Sequence, residues 1–196
     1  MKPMNKFALQ PPALSQREEI AITRRQPAQR FEVRMNAIAP AALDGVAEWL
    51  RSALAIDDEI GSAKPGASRA GQPGDAIATH QFTLLLLLAR ALLQAAQVPV
   101  FDKGLVVSVQ KDINEVTGWV ATVALAKVDL LSQKCHVIAL TQALRLLQWM
   151  TRTPINAETR ESLYAEIHSR VIQPLKSLVG GGKSTLPILR AAYQLN

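Results

Sequence analysis

The 196-residue sequence contains a single cysteine, Cys135. That excludes an intramolecular disulfide framework and any zinc site built on several thiolates. Aromatic residues are scarce at 5%, and charged residues make up 19% against 48% hydrophobic. A coiled coil or a wholly disordered chain would carry more charge and less apolar bulk. No apolar run reaches the roughly 20 residues that span a bilayer. The longest, Phe82–Ala96, is interrupted by Arg90 and Gln94 and reads as a buried helix. Met1–Ala13 lacks the apolar stretch of roughly 7–15 residues that a secretory signal requires. A cytoplasmic location and no membrane partner are the expectations.

Basic charge is present but unevenly placed. The formal net charge is +6. Residues 1–34 hold seven bases against three acids, residues 35–179 hold thirteen of each, and the tail adds Lys183 and Arg190. The body is neutral, whereas a nucleic-acid-binding domain clusters its bases on a folded face to neutralise phosphates. The excess falls in a leader, residues 1–29, expected to be flexible. Arg17, Arg24, Arg25, Arg30 and Arg34 form a basic arm suited to an acidic partner.

Arg30–Asn36 alternates Phe31, Val33 and Met35 with charged residues, as a half-buried strand does. Pro40 opens a helix over Ala41–Ala55. Gly61–Asp75, with four glycines and two prolines, is expected to be a loop. Thr79 caps the next helix, apolar nearly all round and therefore central, which runs to about Gln97 before Pro99. Leu105–Gln110 and Gly118–Leu125 form a hairpin around the polar stretch Lys111–Thr117. Ser132 caps a helix over Gln133–Met150, with Val137, Leu140, Leu144, Leu147 and Trp149 on its buried stripe. Asn156 caps another over Ala157–Ile172, which Pro174 ends. Gly180–Gly182 form a hinge, and Ser184 begins a short terminal helix. The order implies one α+β domain over residues 30–179, a two-layer sandwich with a small antiparallel sheet packed against helices.

Candidate chemistry is thin. Gly180–Thr185 reads GGGKST and mimics the end of a phosphate-binding loop, whose backbone N–H groups cradle phosphates while a lysine neutralises them. Gly181, Gly182, Lys183, Ser184 and Thr185 are the candidate phosphate contacts. The full pattern needs a glycine at Ser177, and only eleven residues follow Thr185, so a hinge with a helix cap accounts for the segment better. Cys135 and His136 diverge by about 100° around a helix and do not share a metal readily. His80 and His168 are remote as bases for a nucleophilic thiol. Asp57, Asp58 and Glu59 form the sole acidic cluster but lack the spacing of a calcium loop. Trp49, Trp119 and Trp149 are expected as core anchors, with Trp119 placed to present its ring on an open sheet face. No catalytic residue and no metal site are expected.

Two stretches carry a family resemblance. Thr117–Asp129 (TGWVATVALAKVD) with Ala143–Met150 (ALRLLQWM) is the first, and Gly181–Ala192 (GGKSTLPILRAA) is the second. Together they resemble the amino-terminal region of cyanophycin synthetase-like proteins, ATP-grasp ligases that join amino acids through acyl-phosphate intermediates. The resemblance implies a small domain that leads through a Ser-Thr-containing helix into an ATP-grasp domain beyond Asn196. ATP and Mg²⁺ are implied only for that downstream domain, and no cofactor for this chain. The implied role is a non-catalytic module that binds substrate or the growing amino-acid polymer, or positions the catalytic domains. Its partners would be a downstream ligase domain and a peptide. A free-standing adaptor that meets an acidic partner through its basic arm is the alternative. A minimal nucleotide binder using Lys183 is the third.

Overall fold

The computed structural model describes residues 26–56, 73–128, 131–179 and Ala191. The alternating residues around Phe31 form strand β1 (Ala28–Asn36), two residues longer at its start than the pattern predicts. The expected hairpin is present as β2 (Leu105–Lys111) and β3 (Gly118–Ala126). These make one antiparallel sheet in the order β1-β3-β2, so β3 is central. Helices α1 (Pro40–Leu54), α2 (Pro73–Ala95), α3 (Lys134–Met150), α4 (Ala157–Ile167) and α5 (Gln173–Val179) complete an α+β fold.

Helix α2 lies at the centre because the run Leu84–Leu88 puts leucine on every side of its middle turns. Leu84, Leu85, Leu86, Leu88, Leu92 and Leu93 are all buried. The sheet covers one side and α1 and α3 cover others. The helix starts at Pro73 and not after Thr79. Proline's missing N–H is no loss in a first turn, and Asp75 there favours the positive end of the helix. Thr79 is inside the helix, its hydroxyl donating to the Asp75 carbonyl at 2.7 Å. By length and composition α2 is the one described helix that could cross a membrane. At its far end Gln97 adopts a left-handed conformation (φ 66°), and Val98 donates back to the Leu93 carbonyl. The sheet approaches α2 so closely at Gly104 that an added Cβ would stand 2.8 Å from the Leu86 Cβ.

Helix α3 starts one residue later than expected, with the Ser132 hydroxyl accepting from the Lys134 N–H at 3.3 Å. Leu140, Leu144 and Leu147 are buried as expected, while Val137 and Trp149 are half-buried. Trp49 fills the space between α1 and α3, its indole donating to the Thr153 carbonyl at 3.0 Å and its ring 5.3 Å from that of Trp149. Asn156 caps α4 reciprocally with Thr159. Pro174 does not stop the helical path. It has no N–H for the Arg170 carbonyl, and its ring crowds that position. A π turn over His168–Ile172 widens the ladder just upstream, where the Gln173 N–H reaches the His168 carbonyl, and the chain continues into α5.

Two buried glutamines fasten β1 to the rest. Gln26 donates from Nε2 to the Pro99 carbonyl at 2.7 Å and accepts at Oε1 from the Phe101 N–H at 2.7 Å. Its own N–H reaches the Asp102 carboxylate at 2.8 Å. The folded body therefore begins before the boundary at residue 29. Gln81, on α2, accepts from the Ile38 N–H at 2.9 Å and donates to the Asn36 carbonyl at 3.0 Å. Leucine at position 81 would leave both backbone groups without a partner. Gln81→Leu is expected to lower stability by about 2–4 kcal/mol, measured by urea unfolding, while a surface change such as Arg145→Gln moves it by less than about 0.5 kcal/mol.

Candidate functional site

The two faces of the sheet are chemically unlike. Phe31, Val33 and Met35 of β1 lie opposite Val123, Ala121 and Trp119 of β3 and face the helices. Trp119 belongs to this inner set, a core anchor as expected, and does not present its ring on an open sheet face. It is 9% exposed, with Gly74 of α2 packed against its ring and the Lys111 ammonium 6.0 Å from its centroid. The outer face carries Val120, Thr122 and Ala124 down the central strand. Arg34, Glu32 and Arg30 flank them from β1, and Gln110 and Ser108 flank the first two from β2.

Arg34 links this outer face to the hairpin loop. One guanidinium nitrogen lies 3.0 Å from the Glu32 carboxylate and another 3.6 Å from that of Asp112, which follows β2. Because β1 and β2 sit on either side of β3, the arginine reaches across the central strand. The same Asp112 accepts from the Asn114 N–H at 2.9 Å and donates its own N–H to the Gly118 carbonyl at 2.9 Å. The Gly118 N–H returns to Glu115 at 3.0 Å, and the Ala37 N–H holds Thr117 at 2.8 Å. Gly118 has no room for a side chain, since an added Cβ would stand 2.9 Å from the Cβ atoms of Asp112 and Glu115. On this pinned loop Ile113 and Val116 are fully exposed, at 97% and 103%.

Cys135 and His136 lie at the opposite end of the sheet, in the core. His136 Nε2 is 2.9 Å from the Ala126 carbonyl, and its ring stacks on Phe31 with centroids 6.0 Å apart. A carbonyl only accepts, so Nε2 carries the proton and Nδ1 is bare; that Nδ1 is buried without a hydrogen-bond partner among the described residues. Burial pushes the imidazole pKa down, outweighing the carbonyl bond. Burial also pushes the Cys135 thiol up, which disfavours the thiolate that nucleophilic or metal chemistry uses. Among the described residues no group of three or more His, Cys, Asp or Glu converges as a metal site would.

Of the residues singled out from sequence, Arg17, Arg24, Arg25, the Asp57–Glu59 cluster and Gly181–Thr185 lie outside the described residues. Arg30 and Arg34 are not part of an arm. They are strand residues of β1, and Arg34 is already held by two carboxylates. The sheet gathers Arg30 and Arg34 on one face and leaves His80 and His168 on separate helices. Sequence reasoning missed Ile113 and Val116. The available signal was the presence of two aliphatic residues inside the otherwise polar string KDINEVTG.

The fold class is thus a two-layer α+β domain; among the described residues its outer sheet face carries charged and polar flanks around a buried central strand, and its most exposed aliphatics are at the loop tip. No family model, curated protein or solved structure matches the chain.

The state of His136 sets a pH dependence. Its pKa is lower folded than unfolded, so the unfolded state binds the extra proton first. The associated stability is complete above the unfolded value near 6.5 and is lost as pH falls from there toward the folded value. Thermal unfolding midpoints are expected to fall between pH 7 and pH 5, and His136→Gln is expected to flatten that part of the profile.

Proposed function

We propose that the chain is a non-catalytic interaction module that positions a separate catalytic domain, or the peptide that domain works on. This is the role implied by the resemblance to the amino-terminal region of cyanophycin synthetase-like ATP-grasp ligases. The observation that supports it best is the hairpin tip, where Ile113 and Val116 stand fully in water on a loop that its own hydrogen bonds hold still. Burying an exposed aliphatic side chain in a partner's pocket is worth about 1.5–3 kcal/mol. A loop already fixed in shape loses little further entropy on docking, so more of that gain is kept as affinity.

The charge at the tip selects the kind of partner. Glu115 stands between the two aliphatics, Asp112 beside Ile113 is 7% exposed and already matched to Arg34, and the single base, Lys111, lies over Trp119. An anionic membrane attracts tips rich in lysine and arginine, so the tip suits an apolar protein pocket with a basic rim. The basic-arm alternative gains no support from Arg34, whose charge is matched within the domain.

The double variant Ile113→Ser, Val116→Ser leaves every backbone bond of the loop intact. Its unfolding temperature is expected to stay within about 2 °C of the parent, as exposed substitutions usually do. Titration against an ATP-grasp ligase domain supplied as a separate polypeptide should show binding by the parent chain. The variant should bind at least about 30-fold more weakly, the equivalent of about 2 kcal/mol. Absence of binding by the parent, or equal binding by the variant, overturns the reading.

A further inference from the structure

The geometry points to self-association through the edge of β1 that faces no strand among the described residues, two copies joining their sheets antiparallel about a two-fold axis at Val33. Ladder parity establishes which groups face that edge. Ala37 donates to Thr117 and Lys127 donates to Pro27, both on the same diagonal as the β1–β3 register. Odd-numbered residues of β1 therefore turn their amides toward β3, and even-numbered residues turn theirs away. The Gln81 contacts agree, because they take the Asn36 carbonyl and the Ile38 N–H from the side away from β3. Glu32 and Arg34 consequently present their backbone N–H and C=O groups at a sheet edge that has no strand opposite it among the described residues.

The two edges of the sheet are protected differently. β2 is seven residues long, carries a bulge between Val106 and Ser108, and ends in Lys111, all of which discourage pairing. β1 is nine residues long, unbroken in register, and free of proline. Its outward charges alternate in sign and do not form a repelling run.

Charge narrows the register to axes at Phe31, which would set Glu32 opposite Arg30, and at Val33, the one that engages both Glu32 and Arg34 across the axis. With Val33 on the axis, Glu32 of one copy lies opposite Arg34 of the other, and the relation repeats across the axis. Both are even-numbered, so each such pair can exchange both of its backbone hydrogen bonds. Moving the axis to Glu32 or to Arg34 sets like charges face to face, which is unfavourable for directly opposed residues. The side chains are accessible for this, at 36% and 43% exposure. Arginine has donors to spare beyond those it gives Glu32 and Asp112.

Sedimentation velocity of the full chain over a concentration series tests the idea. The expected result is a reversible step from 21.3 kDa to twice that mass, weakened by added salt. Glu32→Arg, and separately Arg34→Glu, should each raise the dimer dissociation constant roughly ten- to a hundredfold, because every substitution acts twice across the axis. The double exchange Glu32→Arg, Arg34→Glu restores opposite charges in the same register and should recover the dimer. Glu32→Pro removes an edge N–H without touching the β3 ladder and should give a folded monomer by circular dichroism. A parent that stays monomeric up to its solubility limit overturns the proposal. So does a dimer indifferent to the single exchanges, or one that the double exchange fails to recover while the variant remains folded.

Discussion

The fold depends on covering helix α2. Through its middle turns, Leu84–Leu88, this helix has leucine on every side and no face that can be left in water, so the neighbouring elements close around that stretch while its ends expose Ile77, Gln94 and Ala95. The three-stranded sheet supplies a floor, α1 and α3 supply walls, and the π turn touches it as well. The closeness of the sheet at Gly104 follows from the same demand, since a side chain there would hold the sheet off the leucines. A sheet of three strands would be marginal alone; against α2 it becomes one half of a shared core.

Covering an apolar helix brings backbone polar groups into the interior, and they need partners. Gln26 and Gln81 meet that need at either end of β1, each giving one donor and one acceptor to chain that leaves regular structure. His136 does the same for the Ala126 carbonyl at the end of β3, at the cost of an Nδ1 without a partner among the described residues. The polar residues in this core are therefore fasteners for connections.

Much of this was legible from residue order. The period-two pattern of Phe31, Val33 and Met35, the polar stretch Lys111–Thr117, and the caps at Ser132 and Asn156 each reflect local physics that operates within a few residues. The start of α2 was hidden because Pro73 follows a run rich in glycine and proline, and the same residue serves a loop or a first helical turn equally well. Trp119 is the core anchor its type predicts, but the alternative of an open-face ring stayed available because β3 is buried on both sides, so Val120 and Ala124 blur the alternation that its phase with Ala121 and Val123 would reveal. Arg30 and Arg34 were counted with the leader by charge, although their parity with Glu32 places them on one strand face. The loop tip was the least legible feature. Whether two aliphatics in a polar string tuck in or stand out is decided by Asp112, Gly118 and Ala37 together, and their meeting is tertiary.

The π turn carries a consequence for helical phase. The buried residues Leu163, Ile167, Val171, Leu175 and Val179 recur every fourth position across α4, the turn and α5. In an uninterrupted α-helix four residues overshoot a full circle by about 40°, and four such steps would carry Val179 about 160° away from Leu163, onto the far side. The slower winding of the π turn takes back much of that angle. The wide turn that accommodates Pro174 is thus also the device that lets a strict four-residue period stay pointed at one core.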